Sequence, residues 1–189
     1  PLTEPPLDGP LSLRSSAQRH RFPAILLVPQ MRHVEMLNGV THEWAAFSSI
    51  DGATGFSHSG PDFSVNAAPV LSVIDDLTQR RLAINGMMPS IDSKRIYLIG
   101  HSMGGLGTWD WIARRPSFFA GAVPMAGYPD FSRAAALKDT PIWAFHHEID
   151  CYNAFAGTNT MYQRITGAPN NGTKMKLTRL TFNTGGACD

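Results

Sequence analysis

The stretch RIYLIGHSMGG, residues 95–105, decides the fold. It opens with a short apolar run, which is typical of a strand buried in a parallel sheet. Residues 103–115 then follow a helical pattern that stops before a proline. Between the two stands Ser102, with Gly100 two residues before it and Gly104 two residues after it. The stretch therefore predicts a sharp strand-to-helix turn with a serine at its apex.

A turn of this kind suits a nucleophilic serine, whose hydroxyl attacks once a base accepts its proton. Small residues on either side let the turn pass close to its neighbours, and Gly105 lets the helix pack against the sheet. The Met103 N–H opens the helix, where the dipole favours negative charge, so we expect it to donate to an oxyanion. The alternative is a glycine-rich turn that only packs or binds a phosphate. We call this turn the elbow; its residues are Gly100, His101, Ser102, Met103 and Gly104.

Strand and helix patterns alternate along the rest of the chain. The predicted strands and helices are, in turn, residues 22–28, 95–99, 120–125, 142–145 and 176–182, and residues 67–85, 103–115, 131–137 and 158–166. Residues 1–21 are predicted to be coil, and residues 30–66 are predicted to be mostly loop with short helical pieces. This alternation predicts an α/β protein with a mainly parallel sheet. We expect one domain over residues 22–189, incomplete at one or both ends, after an N-terminal coil.

Composition excludes several other classes of protein. Of 189 residues, 43% are apolar and 16% are charged, which is typical of a globular domain. The net charge of +1 indicates no nucleic-acid partner. No apolar stretch approaches the roughly 20 residues of a membrane span. The chain opens without a signal-peptide pattern, which a mature secreted protein would lack as well.

The elbow lies within a longer stretch that resembles a known family. Residues 91–105 continue into Gly107-Thr108-Trp109-Asp110 and then Ala122-Val123-Pro124-Met125-Ala126-Gly127. This resembles the α/β-hydrolase family of phospholipase/carboxylesterase-like enzymes, also called predicted peptidases, with dienelactone-hydrolase-like and polyhydroxybutyrate-depolymerase-like esterases as near relatives. The likeness covers residues 22–189 and is most specific over 91–127. It implies the α/β-hydrolase fold, a Ser-Asp-His triad and small or polymeric ester substrates, with no cofactor and no metal.

The resemblance also implies the acid of the triad. Family members carry a His-Gly-x-x-Asp-like segment after the strand that follows the elbow region, and residues 141–150 match it with Asp150 in the acid position. An acid just past a strand end can orient an imidazole. A loop or capping role for Asp150 is the alternative, with Glu148 as the fallback acid. His146 is expected to be structural rather than the base.

The base departs from the family pattern. The family has a Gly-His-Asp-like segment after the last strand, where this chain has Cys188, and no histidine follows Asp150. Three explanations stay open. In the first, the chain is a fragment whose histidine lies beyond its end. In the second, Cys188 takes the place of the base; it would be a poor base at neutral pH, since a thiol has a pKa of about 8.5. In the third, the base is one of the loop histidines His33, His42 and His58.

The second oxyanion donor is also unidentified. In the family it comes from a His-Gly loop that precedes the strand matched by residues 22–28, and this chain contains no His-Gly pair. Either residues 1–21 replace the N-terminal strands of the family sheet, or the sheet lacks them. An active serine hydrolase and a catalytically inactive hydrolase scaffold that only binds ligands are therefore both retained. The sequence predicts neither the oligomeric state nor the ester.

The two cysteines fall near the implied triad. Cys151 follows the acid and Cys188 stands at the histidine position, and the loops that carry them meet in the hydrolase fold. The resemblance therefore implies a disulfide, with two free thiols as the alternative. A disulfide would indicate an extracellular or periplasmic location, whereas free thiols fit the cytoplasm. Metal binding by this pair with His146 and His147 lacks a ligand-spacing pattern.

Four aromatic side chains lie close to the elbow in sequence. We expect them to pack in the core rather than to line an acyl pocket, because aromatic residues at helical spacing are mostly core residues. They are Trp109, Trp111, Tyr128 and Phe131.

Overall fold

A computed structural model of the chain describes residues 67–79, 91–151 and 153–181, and the backbone of four short strands between residues 36 and 58. The predicted coil 1–21, the predicted strand 22–28 and residues 182–189 lie outside the described residues.

Two antiparallel hairpins occupy the segment predicted to be mostly loop. Strand β1 (Met36–Leu37) pairs with β2 (Val40–Thr41), and β3 (Phe47–Asp51) pairs with β4 (Gly55–His58). The prediction of loop with short helical pieces was therefore wrong for these residues. The segment lacks the long apolar runs that predict strands elsewhere, but its Asp51-Gly52 dipeptide is typical of hairpin turns.

Helix α1 is shorter than its apolar pattern predicts. It spans Ala67–Thr78 rather than residues 67–85, with Gln79 in a turn beyond it. The Asp75 carbonyl accepts both the Thr78 hydroxyl and the Gln79 N–H, each at 2.9 Å. A hydroxyl that competes for a carbonyl of the last turn weakens the helix at that point.

Four parallel strands form the main sheet, in the order β5-β6-β7-β8. Each consecutive pair runs parallel and is joined by a crossover connection. The strands are β5 (Tyr97–His101), β6 (Gly121–Met125), β7 (Ile142–His147) and β8 (Met175–Leu180). The α/β class and the parallel sheet predicted from the sequence are thus confirmed, although individual boundaries move by up to two residues.

Strand β5 begins two residues later than predicted because a turn at Asp92 occupies the start of the apolar run. The Asp92 carboxylate accepts the Lys94 N–H at 2.9 Å and the Arg95 Nε–H at 2.8 Å. The hydrogen bond from the Lys94 backbone, followed by that from Arg95, lowers the pKa of the Asp92 carboxyl. The chain leaves this turn and pairs with β6 from Tyr97 onward.

Three helical segments connect these strands. They are α2 (Met103–Arg114) after β5, a 3-10 turn (Phe131–Arg133) that leads into α3 (Ala134–Leu137) after β6, and α4 (Phe155–Thr166) after β7. Helix α4 begins three residues before its predicted start. The helix predicted over 131–137 divides at Arg133 into a 3-10 and an α-helical part.

The core lies between the helices and one face of the sheet. Residues 107–113 of α2 are all buried, and Ile112, Ala144 of β7 and Ile165 of α4 are fully inaccessible. The predicted core role of the four aromatic residues is confirmed, since three are buried and the fourth packs against the same cluster: Trp109, Trp111, Phe131 and Tyr128.

The opposite face of the sheet carries exposed side chains. The side chains of Tyr97 and Ile99 on β5 are 69% and 67% exposed, and that of Trp143 on β7 is 49% exposed. The indole Nε1–H of Trp143 donates to Thr178 of β8 at 2.9 Å, which ties the exposed ring to the next strand. Buried and exposed side chains therefore alternate along β7, and the helices that the structure describes pack on the buried side.

A buried ion pair within α2 provides a test of the packing. Arg114 Nε lies 2.8 Å and 3.0 Å from the two Asp110 carboxylate oxygens, and both side chains are at most 5% exposed. We expect Asp110→Ala to lower the free energy of unfolding by about 3–5 kcal/mol, because it leaves the Arg114 charge buried without its carboxylate.

The half-exposed pair of Arg115 with Asp75, at 3.8 Å, is the matched control. We expect Asp75→Ala to lower the free energy of unfolding by less than about 1 kcal/mol. Urea unfolding of both variants measures the difference. Equal losses would show that the Asp110–Arg114 pair is solvated like a surface pair.

Candidate active site

Ser102 stands at the apex of the strand-to-helix turn in an unusual backbone conformation. Its φ of 54° and ψ of −115° place it in the left-handed half of the dihedral map, which residues other than glycine rarely adopt. Its N–H donates to the Met125 carbonyl at 2.9 Å, and its carbonyl accepts the Leu106 N–H at 3.0 Å. The side chain is exposed and makes no hydrogen bond that caps α2. The backbone is thus fixed on both sides while the hydroxyl stays accessible.

Steric crowding requires glycine at position 100 of the elbow but not at position 104. A Cβ on Gly100 would stand 2.1 Å from the Gly104 carbonyl oxygen and 2.6 Å from the Thr108 hydroxyl. A Cβ on Gly104 would meet no atom of the described residues within 4 Å. The expectation that both glycines serve close approach was therefore wrong for Gly104, whose backbone is the surface that Gly100 approaches.

A turn at the end of β6 lies directly behind the elbow; we call residues 125–127 the backing turn. A Cβ on Gly105 would stand 2.3 Å from the Met125 carbonyl oxygen, and one on Gly127 would stand 2.4 Å from the Gly105 carbonyl carbon. Ala126, in the middle of the backing turn, has a φ of 48°, and its N–H donates to the Phe145 carbonyl of β7 at 2.9 Å. The predicted close packing at Gly105 is thereby confirmed, and the contact involves backbone on both sides.

This contact makes adjacent glycines of α2 respond oppositely to the same substitution. We expect Gly105→Ala to destabilise the fold by about 3 kcal/mol, because backbone on both sides of the contact must move apart. We expect Gly104→Ala to stabilise it by about 0.5–1 kcal/mol, because alanine restricts the unfolded chain and has space in the helix. Thermal unfolding of the two variants gives the comparison. A loss of similar size in both would contradict the packing described here.

The start of α2 presents backbone donors beside Ser102. The first hydrogen bond of the helix runs from the Leu106 N–H to the Ser102 carbonyl. The amides of Met103, Gly104 and Gly105 therefore precede any intrahelical acceptor, as in the first turn of every α-helix. Together with the helix dipole they favour negative charge at this point.

Asp150 lies three residues beyond the end of β7, in the loop between His147 and Phe155 that leads to α4. We call this segment the Asp150 loop. One carboxylate oxygen accepts the Asn153 N–H at 2.9 Å, and the other lies 3.5 Å from Nε2 of His146. The Asp150 side chain is 15% exposed. Glu148, the fallback acid, forms an ion pair with Arg179 of β8 instead. The two carboxylates of this loop therefore face different surroundings.

His146 is enclosed beneath the Asp150 loop. Its side chain is fully buried, Nδ1 lies 2.7 Å from the Thr158 hydroxyl, and Nε2 lies 2.6 Å from the Asn153 carbonyl oxygen. Both ring nitrogens are thus engaged within the protein, and the ring is closed to a substrate. This arrangement agrees with a structural role for His146.

The sheet brings Ser102 and Asp150 to the same edge. Met125 of β6 pairs in register with His101 of β5 on one side and with Phe145 of β7 on the other. Ser102 follows the carboxyl end of β5 and Asp150 follows that of β7. Open α/β sheets bind ligands at this end of their strands. His33, His42 and Cys188 lie outside the described residues. His58 ends β4, which contacts the 3-10 turn Phe131–Arg133, and its side chain lies outside them as well.

Comparisons with solved structures agree with this architecture. A thermostable esterase is 30% identical, with a TM-score of 0.56 over 67% of this chain and 31% of its own length. SOBER1 of Arabidopsis thaliana is 18% identical, with a TM-score of 0.51 over 76% of this chain and 66% of its own. The chain has the α/β-hydrolase fold. No protein-family model and no curated protein matches this α/β-hydrolase. It spans less than two thirds of the length of either structure.

The α/β-hydrolase chain carries a disulfide beside its candidate acid. Cys151 is disulfide-bonded, and the sequence has one other cysteine, Cys188, which lies outside the described residues. Among the residues that the structure describes, no three histidine, cysteine, aspartate or glutamate side chains form a cluster able to hold a metal ion. In the same part of the chain, no helix combines the length and apolar character needed to cross a membrane.

Proposed function

We propose that this α/β-hydrolase is a serine esterase in which Ser102 attacks the carbonyl carbon of a carboxylic ester. The observation that carries the proposal is the conformation of Ser102, strained at the carboxyl edge of the sheet with its hydroxyl exposed. A non-glycine residue held in such a conformation costs on the order of 1–3 kcal/mol and persists mostly at functional sites. Glycine would fill the same turn without strain if the turn only packed.

The neighbouring groups supply two further parts of the reaction. The Met103 N–H lies at the positive end of α2, where it would donate to the oxyanion of the tetrahedral intermediate. Asp150 would orient the imidazole that removes the Ser102 proton, as the acid of a triad does. The presence of an esterase among the structural neighbours supports an ester as substrate. Small and polymeric esters both remain within the proposal.

The reaction follows the covalent route of serine hydrolases. The Ser102 oxygen bonds to the ester carbonyl carbon while the base takes its proton, and the carbonyl electrons move onto oxygen. The C–O bond to the alcohol then breaks and the alcohol leaves with that proton, which gives the acyl-enzyme. Water adds to the acyl carbon, and Ser102 is released with the carboxylic acid. The base in this route is the imidazole that Asp150 orients.

Fluorophosphonate labelling tests this proposal directly. We expect the folded chain to take up one equivalent of probe, with the adduct on the peptide that contains Ser102. Ser132→Ala is a matched control, since it removes another exposed hydroxyl, whose Oγ–H donates to Asp130 at 2.6 Å. That variant should label as wild type does. A folded sample that takes up no probe would contradict the esterase proposal and support a hydrolase scaffold that only binds ligands.

A further inference from the structure

A chain of hydrogen bonds, buried where His146 meets Thr158, joins the Asp150 loop to the backing turn. Asp150 accepts the Asn153 N–H, and the Asn153 carbonyl faces Nε2 of His146 at 2.6 Å. On the other side of the ring, Nδ1 lies 2.7 Å from the Thr158 hydroxyl, whose oxygen also lies 3.0 Å from the Gly127 carbonyl oxygen. His146 is therefore the central member of this chain.

The direction of one hydrogen bond follows from its chemistry. A carbonyl oxygen only accepts, so the contact with Asn153 requires the proton on Nε2 of His146. The Asn153 carbonyl and N–H flank the same Cα, so their contacts with His146 and Asp150 together hold this residue between the two side chains. The Nε2 proton therefore holds a residue that also donates to the Asp150 carboxylate, and Nε2 itself lies 3.5 Å from the other carboxylate oxygen of Asp150.

A second hydrogen bond ties the same loop to the elbow. The Asn153 side-chain amide donates to the Ala126 carbonyl at 2.9 Å, beside the Gly127 carbonyl that Thr158 reaches. Both acceptors belong to the backing turn, whose Met125 carbonyl accepts the Ser102 N–H. One continuous set of contacts thus runs from the candidate acid to the candidate nucleophile.

We propose that His146 is a positioning residue that sets Asp150 relative to Ser102 through its Nε2 proton. The inference rests on the proposed roles of Asp150 and Ser102. Its support is that the ring is fully buried, contacts both Asn153 and Thr158, and lies between the loop and the backing turn. A misplacement of about 1 Å at a reacting group costs up to about 10²-fold in rate, so a residue of this kind has a measurable effect without touching substrate.

Two amide substitutions separate positioning from packing. Glutamine places an N–H donor near the Nε2 position of histidine, and asparagine places one near the Nδ1 position. We expect His146→Gln to keep the fluorophosphonate labelling rate within about tenfold of wild type, and His146→Asn to lower it by about 10²-fold. Ile165→Val, at a fully buried position on the same helix as Thr158, should lower stability and leave the labelling rate unchanged.

The wild-type chain provides a readout that does not depend on activity. Nitrogen-15 NMR of the histidine rings should show His146 with a proton on Nε2 that exchanges slowly with solvent. An unprotonated Nε2, or equal labelling rates in the glutamine and asparagine variants, would overturn the positioning role. Absence of labelling in wild type together with a protonated, slowly exchanging Nε2 would instead count against the proposed function and leave the hydrogen-bond chain established.

Discussion

Alanine in place of Ser102 is expected to abolish fluorophosphonate labelling and to lower ester turnover by about 10⁶-fold, the loss that follows removal of a serine nucleophile. The side chain makes no capping hydrogen bond, and the backbone N–H and carbonyl keep their partners Met125 and Leu106. We therefore expect the variant to fold with an unchanged melting temperature. Labelling that persists in Ser102→Ala would place the nucleophile elsewhere in the chain.

A companion substitution tests whether the apex is strained. Ser102→Gly removes the Cβ from a residue with a φ of 54°, so we expect the free energy of unfolding to rise by about 1 kcal/mol. The gain is modest because glycine also makes the unfolded chain more flexible. Urea unfolding of the glycine and alanine variants, side by side, measures it. A glycine variant less stable than the alanine variant would show that the turn imposes no strain.

Asparagine in place of Asp150 is expected to lower the labelling rate by about 10⁴-fold, because an amide cannot hold the base in the tautomer that accepts the serine proton. Glu148→Gln is the matched control on the same loop. Glu148 pairs with Arg179, so its loss should change the rate by less than about tenfold. The reverse order of effects would identify Glu148 as the acid.

The asparagine variant also retains the shape of the loop. Its side-chain oxygen can still accept the Asn153 N–H that Asp150 accepts in wild type. Far-UV circular dichroism and the melting temperature should therefore stay close to wild type. A large loss of stability would show that the negative charge of Asp150 matters chiefly for the fold.

Local patterns predicted the elements around the elbow because they are encoded within a few residues. The apolar run before Ser102, the helical pattern after it and the glycine at 105 each correspond to an observed element or contact. Boundaries moved where a polar side chain intervened, as Asp92 does before β5 and Thr78 does at the end of α1. Such competition depends on side-chain geometry that hydrophobic periodicity does not contain.

The relation between the site residues was less accessible from the sequence. The hydrogen-bond chain through His146 joins residues that are 7, 12 and 31 positions apart, and its partners include backbone carbonyls, which every residue has. Only the sheet register places these groups together. A histidine just after a predicted buried strand and four residues before a predicted acid is the one local signal that could have indicated these hydrogen bonds, since buried polar side chains need partners.

The backing turn has a consequence for directed evolution of this scaffold. Because it supports Ser102 and the Asp150 loop at the same time, substitutions on either side of it should be epistatic although they are distant in sequence. When two residues share a partner, the effects of their substitutions on the free energy of unfolding commonly deviate from additivity by about 0.5–3 kcal/mol. A library that varies residues 125–127 together with Asn153 should therefore yield active combinations that single-site scanning would discard.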